Sequence, residues 1–168
     1  MRLEELNALD DAAAAGAFLR CCGSSRWAAA MTAARPFADA GAMRETADVI
    51  WLALDMPDWL EAFAVHPKIG AGRAGGSGWS DEEQAGVAPA AGETLLRLAD
   101  ANREYEARFG YIFIVCATGR TAAEMLALLE RRLRHDADEE LPVAAEEQRK
   151  ITQLRLAKLL EEEPDTIP

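Results

Sequence analysis

The chain has 168 residues, of which 50% are apolar and 28% are charged, and its formal net charge is −11. This length and composition suit one globular domain with a sizeable core. The acidic balance argues against a nucleic-acid or anionic-membrane surface, which requires clustered lysine and arginine. A small anionic substrate is not excluded, because one arginine in a dry site outweighs a distant net charge.

The cysteines and the chain ends predict a cytoplasmic protein. The three cysteines are Cys21, Cys22 and Cys116, and an odd number in a chain of this size does not suggest a disulfide framework. No histidine stands at zinc-ligand spacing from the first two, so a structural metal site is not expected. Residues 1–6 lack the apolar region of a signal peptide, and the longest apolar run, residues 112–117, is too short to span a bilayer.

The first third of the chain predicts four helices in succession, because its apolar residues recur at helical spacing. Asp10 and Ser24 are residue types that cap helix N-termini, and Pro57 suits a first helical turn. The predicted helices cover about residues 10–22, 24–35, 39–54 and 57–65.

The pattern is interrupted at His66, where Pro67 follows directly. Proline disfavours the helical region for the residue before it, so the helix is predicted to stop at about His66. An imidazole titrates near neutral pH, which makes a fixed histidine at a helix end a candidate for proton transfer. A capping or packing role for His66 is equally compatible with these residues.

The glycine-rich stretch Gly70–Gly78 contains a formal G-x-G-x-x-G match, but we reject a dinucleotide site. That motif requires a strand before it and a helix directly after it, whereas here a helix precedes and more glycine follows. A flexible lid or hinge is the better interpretation. Ser80 and Glu83 then form a capping-box pattern. Ser80, Glu83 and Gln84 could instead present a helix N-terminus to an anion, and both interpretations stay open.

The second half continues as helices around one extended run. A helix is predicted over about residues 89–109, followed by the β-branched and aromatic run 111–117. Because this run has no partner strand, we expect a buried extended connector and no sheet. Further helices are predicted from a capping box at Thr121 and over about residues 144–162. The sequence thus predicts one all-α domain, residues 1–168, with about seven to nine helices.

Three other residues in this half deserve an interpretation. Arg155 projects between Ile151 and Leu159 within an apolar helical arc, so it needs a carboxylate or similar partner. It is either a substrate ligand or a member of a structural ion pair. His135 lies at a helix C-terminus and is interpreted as structural. Cys116 is expected to be a buried, inert thiol.

The motifs together resemble the OHCU decarboxylases, where OHCU is 2-oxo-4-hydroxy-4-carboxy-5-ureidoimidazoline. The matching order is His66-Pro67-Lys-Ile-Gly70, a glycine-rich loop, Ser80-x-x-Glu83-Gln84, Asn102-x-x-Tyr105, Phe109-Gly110-Tyr-Ile-Phe-Ile-Val-Cys116-Ala117 and Glu147-x-x-Lys-Ile151-x-x-Leu-Arg155-Leu156. The resemblance covers nearly the whole chain. It implies an all-α fold and cofactor-free decarboxylation of OHCU to (S)-allantoin in urate degradation. A homodimer is also implied, and the peroxisomal C-terminus of eukaryotic members is absent.

The resemblance also assigns roles to residues. His66 and Glu83 match catalytic positions, and Arg155 matches a substrate-binding arginine. Further matches to substrate-contacting positions are Pro67, Ser80, Gln84 and, through their backbone, Phe113, Ile114, Val115, Cys116 and Ala117. We expect the backbone amides of this last segment to be available for the substrate, because a lone extended run lacks strand partners.

Two alternatives remain at this point. The first is a non-catalytic helical module that binds a basic partner through its acidic surface, which would not require His66, Glu83 and Arg155 to converge. The second is a hydrolase of a related ureide such as hydroxyisourate, which would need a positioned water and at least one further general base.

Overall fold

The computed structural model describes residues 1–69, 82–87 and 92–161, and these ranges contain helices but no strands. Eight α-helices lie wholly within these ranges: α1 (Leu3–Ala8), α2 (Asp11–Cys21), α3 (Ser25–Ala33), α4 (Ala40–Leu52), α5 (Met56–Ala64), α6 (Gly92–Phe109), α7 (Ala122–Arg132) and α8 (Ala137–Glu161). Ala85–Val87 forms a 3₁₀ turn. The predicted all-α class is therefore confirmed for this part of the chain. The glycine-rich stretch Gly70–Gly78 and Ser80 lie outside the described residues.

Several helices begin within about one residue of the predicted positions, because capping side chains fix their N-termini. The side chains of Asp10, Ser24 and Asp39 each accept a hydrogen bond from the backbone amide three residues further on. Thr121 and Glu124 form the predicted capping box at the start of α7. These bonds satisfy amides that a helix N-terminus otherwise leaves unpaired. No helix in the described ranges is both long enough and apolar enough to cross a membrane.

The chain divides into two compact units. The first comprises Met1–Ala62 and the chain from Arg149 onward. In this unit α2 packs against α3, and α3 packs against α4. The Phe18 ring meets the rings of Trp27 and Phe37 edge-on, at centroid distances of 6.0 and 6.2 Å. Aromatic burial of this kind contributes strongly to the stability of a helical core.

The second unit, Phe63–Gln148, has its own core, in which α6 packs against α7. Its buried apolar residues are Ile69, Leu98, Ala101, Tyr105, Phe113, Val115, Ala117, Ala122, Met125 and Leu129. Gly110 ends α6 with a φ of 80°, a left-handed conformation that is unfavourable for residues with a Cβ atom. The chain then enters the extended run that contributes three members of this core.

The start of the last helix differs from the prediction. α8 begins at Ala137 rather than at about Ala144, and it contains Pro142. The carbonyl of Asp136 accepts the first helical bonds, including one of 2.9 Å from the amide of Glu140. The acidic residues in the first turn of α8 stabilise the helix through their interaction with the positive end of its dipole. Burial of Glu140 in an ion pair, described below, further fixes this turn, so the helix tolerates the hydrogen bond that proline removes.

Candidate active site

His66 lies two residues beyond the end of α5, as the proline rule predicted. Its backbone amide donates to the Phe63 carbonyl at 3.1 Å, and its ring is half-buried. The ring atom Nε2 lies 2.7 Å from Oε1 of Gln148, a fully buried side chain on α8. An amide oxygen only accepts, so Nε2–H is the donor, and in the neutral ring the lone pair is on Nδ1. A ring held in this way is suited to acid–base chemistry.

The residues that follow His66 are attached to α6. The Asn102 side-chain amide donates to the Ile69 carbonyl at 3.1 Å and to the Leu98 carbonyl at 2.9 Å. Lys68 forms an ion pair with Glu106 on the protein surface. Both interactions are within the second unit, and they hold the chain on the C-terminal side of the histidine.

Glu83 is helical and only 9% exposed, while Gln84 is half-buried. The 3₁₀ turn that follows passes very close to another part of the backbone: a Cβ on Gly86 would lie 2.0 Å from the Arg120 carbonyl oxygen. This close approach positions the segment that carries Glu83. The predicted capping bond between Ser80 and Glu83 falls partly outside the described residues and stays a prediction.

The segment Phe113–Ala117 is irregular in backbone, and it is buried except for the half-buried Cys116. The predicted buried extended connector is thus confirmed. Two of its hydrogen bonds go to charged side chains: the Ile114 carbonyl accepts from Nη1 of Arg132 at 2.7 Å, and the Cys116 amide donates to Oε2 of Glu147 at 2.8 Å. The expectation that every amide of this segment is available to a substrate is therefore wrong for Cys116, because Glu147 supplies the acceptor that a neighbouring strand would have supplied.

The Cys116 thiol is held in its protonated form. Burial raises its pKa, and the negative charges of Glu147 and Glu83 raise it further. The prediction of an unreactive thiol agrees with this environment, although Cys116 is half-buried rather than buried.

The segment Phe113–Ala117 is also bonded to one member of a buried ion pair, Arg132 and Glu140. Arg132 is 3% exposed and Glu140 is fully buried, and Nε of the arginine lies 2.7 Å from Oε1 of the glutamate. The Tyr105 hydroxyl donates to the same carboxylate oxygen, and burial raises the pKa of this tyrosine. His135 Nδ1 lies 2.7 Å from Oε2 of Glu140, in agreement with its predicted structural role. A buried carboxylate of this kind needs each of these partners to offset its lost hydration.

Arg155 is buried on α8, with 4% of its side chain exposed, as its place in the apolar arc predicted. Its positive charge opposes the effect of burial, which raises the pKa of the Cys22 thiol in the same unit. Arg155 belongs to the first compact unit, whereas His66 and Glu83 belong to the second. The convergence of the three side chains around one ligand stays a prediction.

Gln148 and Arg132 were not predicted from the sequence, and Glu147 was named only as part of the resemblance, with no role assigned. The signal for Gln148 is the one that identified Arg155: a polar residue within an apolar helical arc, here four residues after Ala144 and three before Ile151. Buried Arg132 carried no comparable signal, because it stands in a run of basic residues at a helix end, where exposure is the usual outcome.

A helical protein with a half-buried imidazole and buried carboxylates has the groups of an acid–base enzyme. The family model described as OHCU decarboxylase matches residues 7–157 of the chain. The chain therefore belongs to the OHCU decarboxylase family, and relatives in this family are named as decarboxylases, which are carboxy-lyases. The resemblance inferred from the motifs is confirmed.

Individual relatives agree with this assignment. A bifunctional uric acid degradation protein of Arabidopsis thaliana is 40% identical over 154 residues, which are 88% of this chain and 47% of that protein. This chain thus spans about half the length of that relative. The OHCU decarboxylase of Amia calva is 33% identical over 140 residues, 80% of this chain and 79% of that protein. A crystal structure of an OHCU decarboxylase in the presence of (S)-allantoin has a TM-score of 0.78 and 39% identity, and the match covers 92% of this chain and 100% of that one.

Proposed function

We propose that this chain catalyses the cofactor-independent decarboxylation of OHCU to (S)-allantoin and CO₂ in urate degradation. The observation that carries the proposal is the likeness, over nearly the whole chain, to a solved OHCU decarboxylase in the presence of (S)-allantoin. The fixed imidazole of His66 and the buried carboxylate of Glu83 supply the acid–base groups that the reaction needs.

The chemistry explains why such groups suffice. The bond between the carboxylate carbon and the ring carbon breaks, CO₂ leaves, and the electron pair stays on the ring carbon. That charge delocalises into the adjacent imine and carbonyl, and preorganised donors can stabilise it where it forms. The imine nitrogen takes up a proton, and the hydroxyl on the decarboxylated carbon loses its proton and becomes a carbonyl. The neighbouring ring carbon, which bears the ureido group, takes up one proton. Delivery of this proton to one face gives one enantiomer, and His66 is the residue that we assign to this delivery.

The other residues bind and orient the substrate in this proposal. Glu83 fixes a substrate hydroxyl or N–H, and Arg155 holds the anionic substrate by charge-assisted hydrogen bonds. Pro67, Ser80, Gln84 and the backbone of residues 113–117 complete the contacts. Within that segment the Cys116 amide is already bound to Glu147. We therefore assign recognition of the ring edge to the rest of the segment.

We also propose that the protein is a cytoplasmic homodimer. The three cysteines, Cys21, Cys22 and Cys116, are free thiols, which suits a reducing compartment. Sedimentation equilibrium across a concentration series tests the dimer, and a single species with the monomer mass would contradict it.

A coupled assay tests the activity. Urate, urate oxidase and hydroxyisourate hydrolase supply the substrate, and circular dichroism follows the appearance of (S)-allantoin. We expect His66→Asn to lower kcat by at least about 100-fold, the usual scale for loss of a general acid or base. His135→Gln is the matched control, because it removes the other histidine while Glu140 keeps its ion pair with Arg132. Near-normal (S)-allantoin formation by folded His66→Asn protein would reject the assignment, and turnover of hydroxyisourate itself would favour a hydrolase.

A further inference from the structure

We propose that Gln148 is a positioning residue that holds the neutral ring of His66 in the Nε2–H tautomer. The inference rests on the proposed function, in which His66 handles the proton. It extends that function to a residue that no motif singled out, and it assigns the proton exchange of the neutral ring to Nδ1.

The geometry fixes the direction of the hydrogen bond. Nε2 of His66 lies 2.7 Å from the side-chain oxygen of Gln148, which has no proton to give. The ring must therefore donate from Nε2. Gln148 is fully buried, so water cannot readily replace the ring as the partner of its amide oxygen. A buried polar group that loses its partner keeps its desolvation cost, which favours the bonded arrangement.

The two partners are fixed independently of this bond. Gln148 lies well inside α8, and the His66 backbone is held by its bond to the Phe63 carbonyl and by the following proline. The ring is consequently fixed at its backbone and at Nε2. Histidines in metal sites are oriented in a similar way, since a partner on one ring nitrogen sets the chemistry of the other.

Nuclear magnetic resonance tests the tautomer directly. The chain has two histidines, so labelling histidine with ¹⁵N gives a simple spectrum, and His66→Asn identifies the signals of position 66. We expect the neutral wild-type ring to show a protonated Nε2, with an N–H proton slow enough in exchange to be observed. Gln148→Met keeps the length of the side chain but removes the acceptor, and it should lose this proton signal. Gln148→Glu keeps an acceptor and should retain it.

Kinetics give a second readout. Gln148→Met should lower kcat roughly 10- to 100-fold, the range reported when the partner of a metal-bound histidine is removed, with little change in KM. Gln148→Glu should recover part of this loss. The matched control is Gln153→Met, which removes an amide that bonds to Arg44 and Asp48 in the other compact unit. The control should leave both kcat and the His66 spectrum unchanged.

Failure of the Gln148 inference and failure of the proposed function give different results. A wild-type ring protonated at Nδ1 would overturn the inference even if no variant folded, and so would wild-type kcat and spectrum in Gln148→Met. No (S)-allantoin formation by the wild-type protein, with the tautomer still dependent on Gln148, would reject the proposed function and leave the tautomer assignment intact.

Discussion

The carboxylate of Glu147 accepts a 2.8 Å hydrogen bond from the backbone amide of Cys116. This bond attaches α8 to an extended segment that has no partner strand among the described residues. Gln148, the next residue on the helix, bonds to the ring of His66. Two consecutive residues of one helix therefore hold two of the elements that we assign to the active site.

Removing the acceptor at position 147 should loosen the segment. Glu147→Leu leaves the Cys116 amide without its bond and should lower the free energy of unfolding by about 1–3 kcal/mol. Glu147→Gln keeps an oxygen acceptor at the same distance and should cost less. Urea denaturation measures both variants. Equal losses would show that the charge matters and the hydrogen bond does not.

The buried ion pair between Arg132 and Glu140 gives a larger effect. Arg132→Met leaves the buried Glu140 carboxylate without its arginine partner and should destabilise the protein by about 3–5 kcal/mol. The double variant Arg132→Met, Glu140→Leu removes both charges and should be more stable than the single variant. Thermal and urea denaturation of the wild type, the two single variants and the double variant measure the coupling free energy between Arg132 and Glu140. Losses of stability that simply add in the double variant would contradict this coupling.

Cys22 should make stability depend on alkaline pH. Burial raises the pKa of its thiol from 9.0 to about 11, so on raising the pH the unfolded chain loses this proton first. The stability from the protonated thiol is complete below pH 9 and declines as the pH approaches 11, where the loss is about 2 kcal/mol. Cys22→Ala should lack this part of the decline. Denaturation at pH 8 and pH 11 compares the two proteins, and parallel losses would contradict the assignment.

Arg155 should affect substrate binding more than the chemical step. Arg155→Leu should raise KM at least tenfold, because a charged hydrogen bond to the substrate is worth about 1.5–3 kcal/mol. Arg155→Lys keeps the charge but loses the planar guanidinium group, so its KM should lie between those of the wild type and Arg155→Leu. Arg103→Gln, at an exposed position on α6, is the control. An unchanged KM in folded Arg155→Leu protein would remove Arg155 from the proposed site.

The parts of the fold that local chemistry decides were predictable. Caps at Asp10 and Ser24, and the helix end before Pro67, depend on a few neighbouring residues, and these predictions are confirmed. The start of α8 was missed because Glu140 is stabilised there by Arg132 and by the distant Tyr105. Such partners outweigh the local preference of a proline, and a single sequence does not reveal them.

In the candidate site, too, features that depend on neighbouring residues were predicted and features that depend on distant partners were not. The helix end before Pro67, which makes His66 a candidate, is a local feature, and so is the apolar arc that marks Arg155. The partner of His66 stands 82 residues later in the chain, and no spacing rule connects the two. The expectation of open amides failed at Cys116 for the same reason, since its acceptor is a side chain from a later helix.

The close approach at Gly86 has a consequence for natural variation of this chain. Alanine is ordinarily the mildest replacement for glycine, yet here its methyl group would overlap the carbonyl oxygen of Arg120. Two backbones would have to separate, and the turn that follows Glu83 would shift with them. Functional descendants of this sequence should therefore keep glycine at position 86, even though its hydrogen side chain takes no part in the reaction.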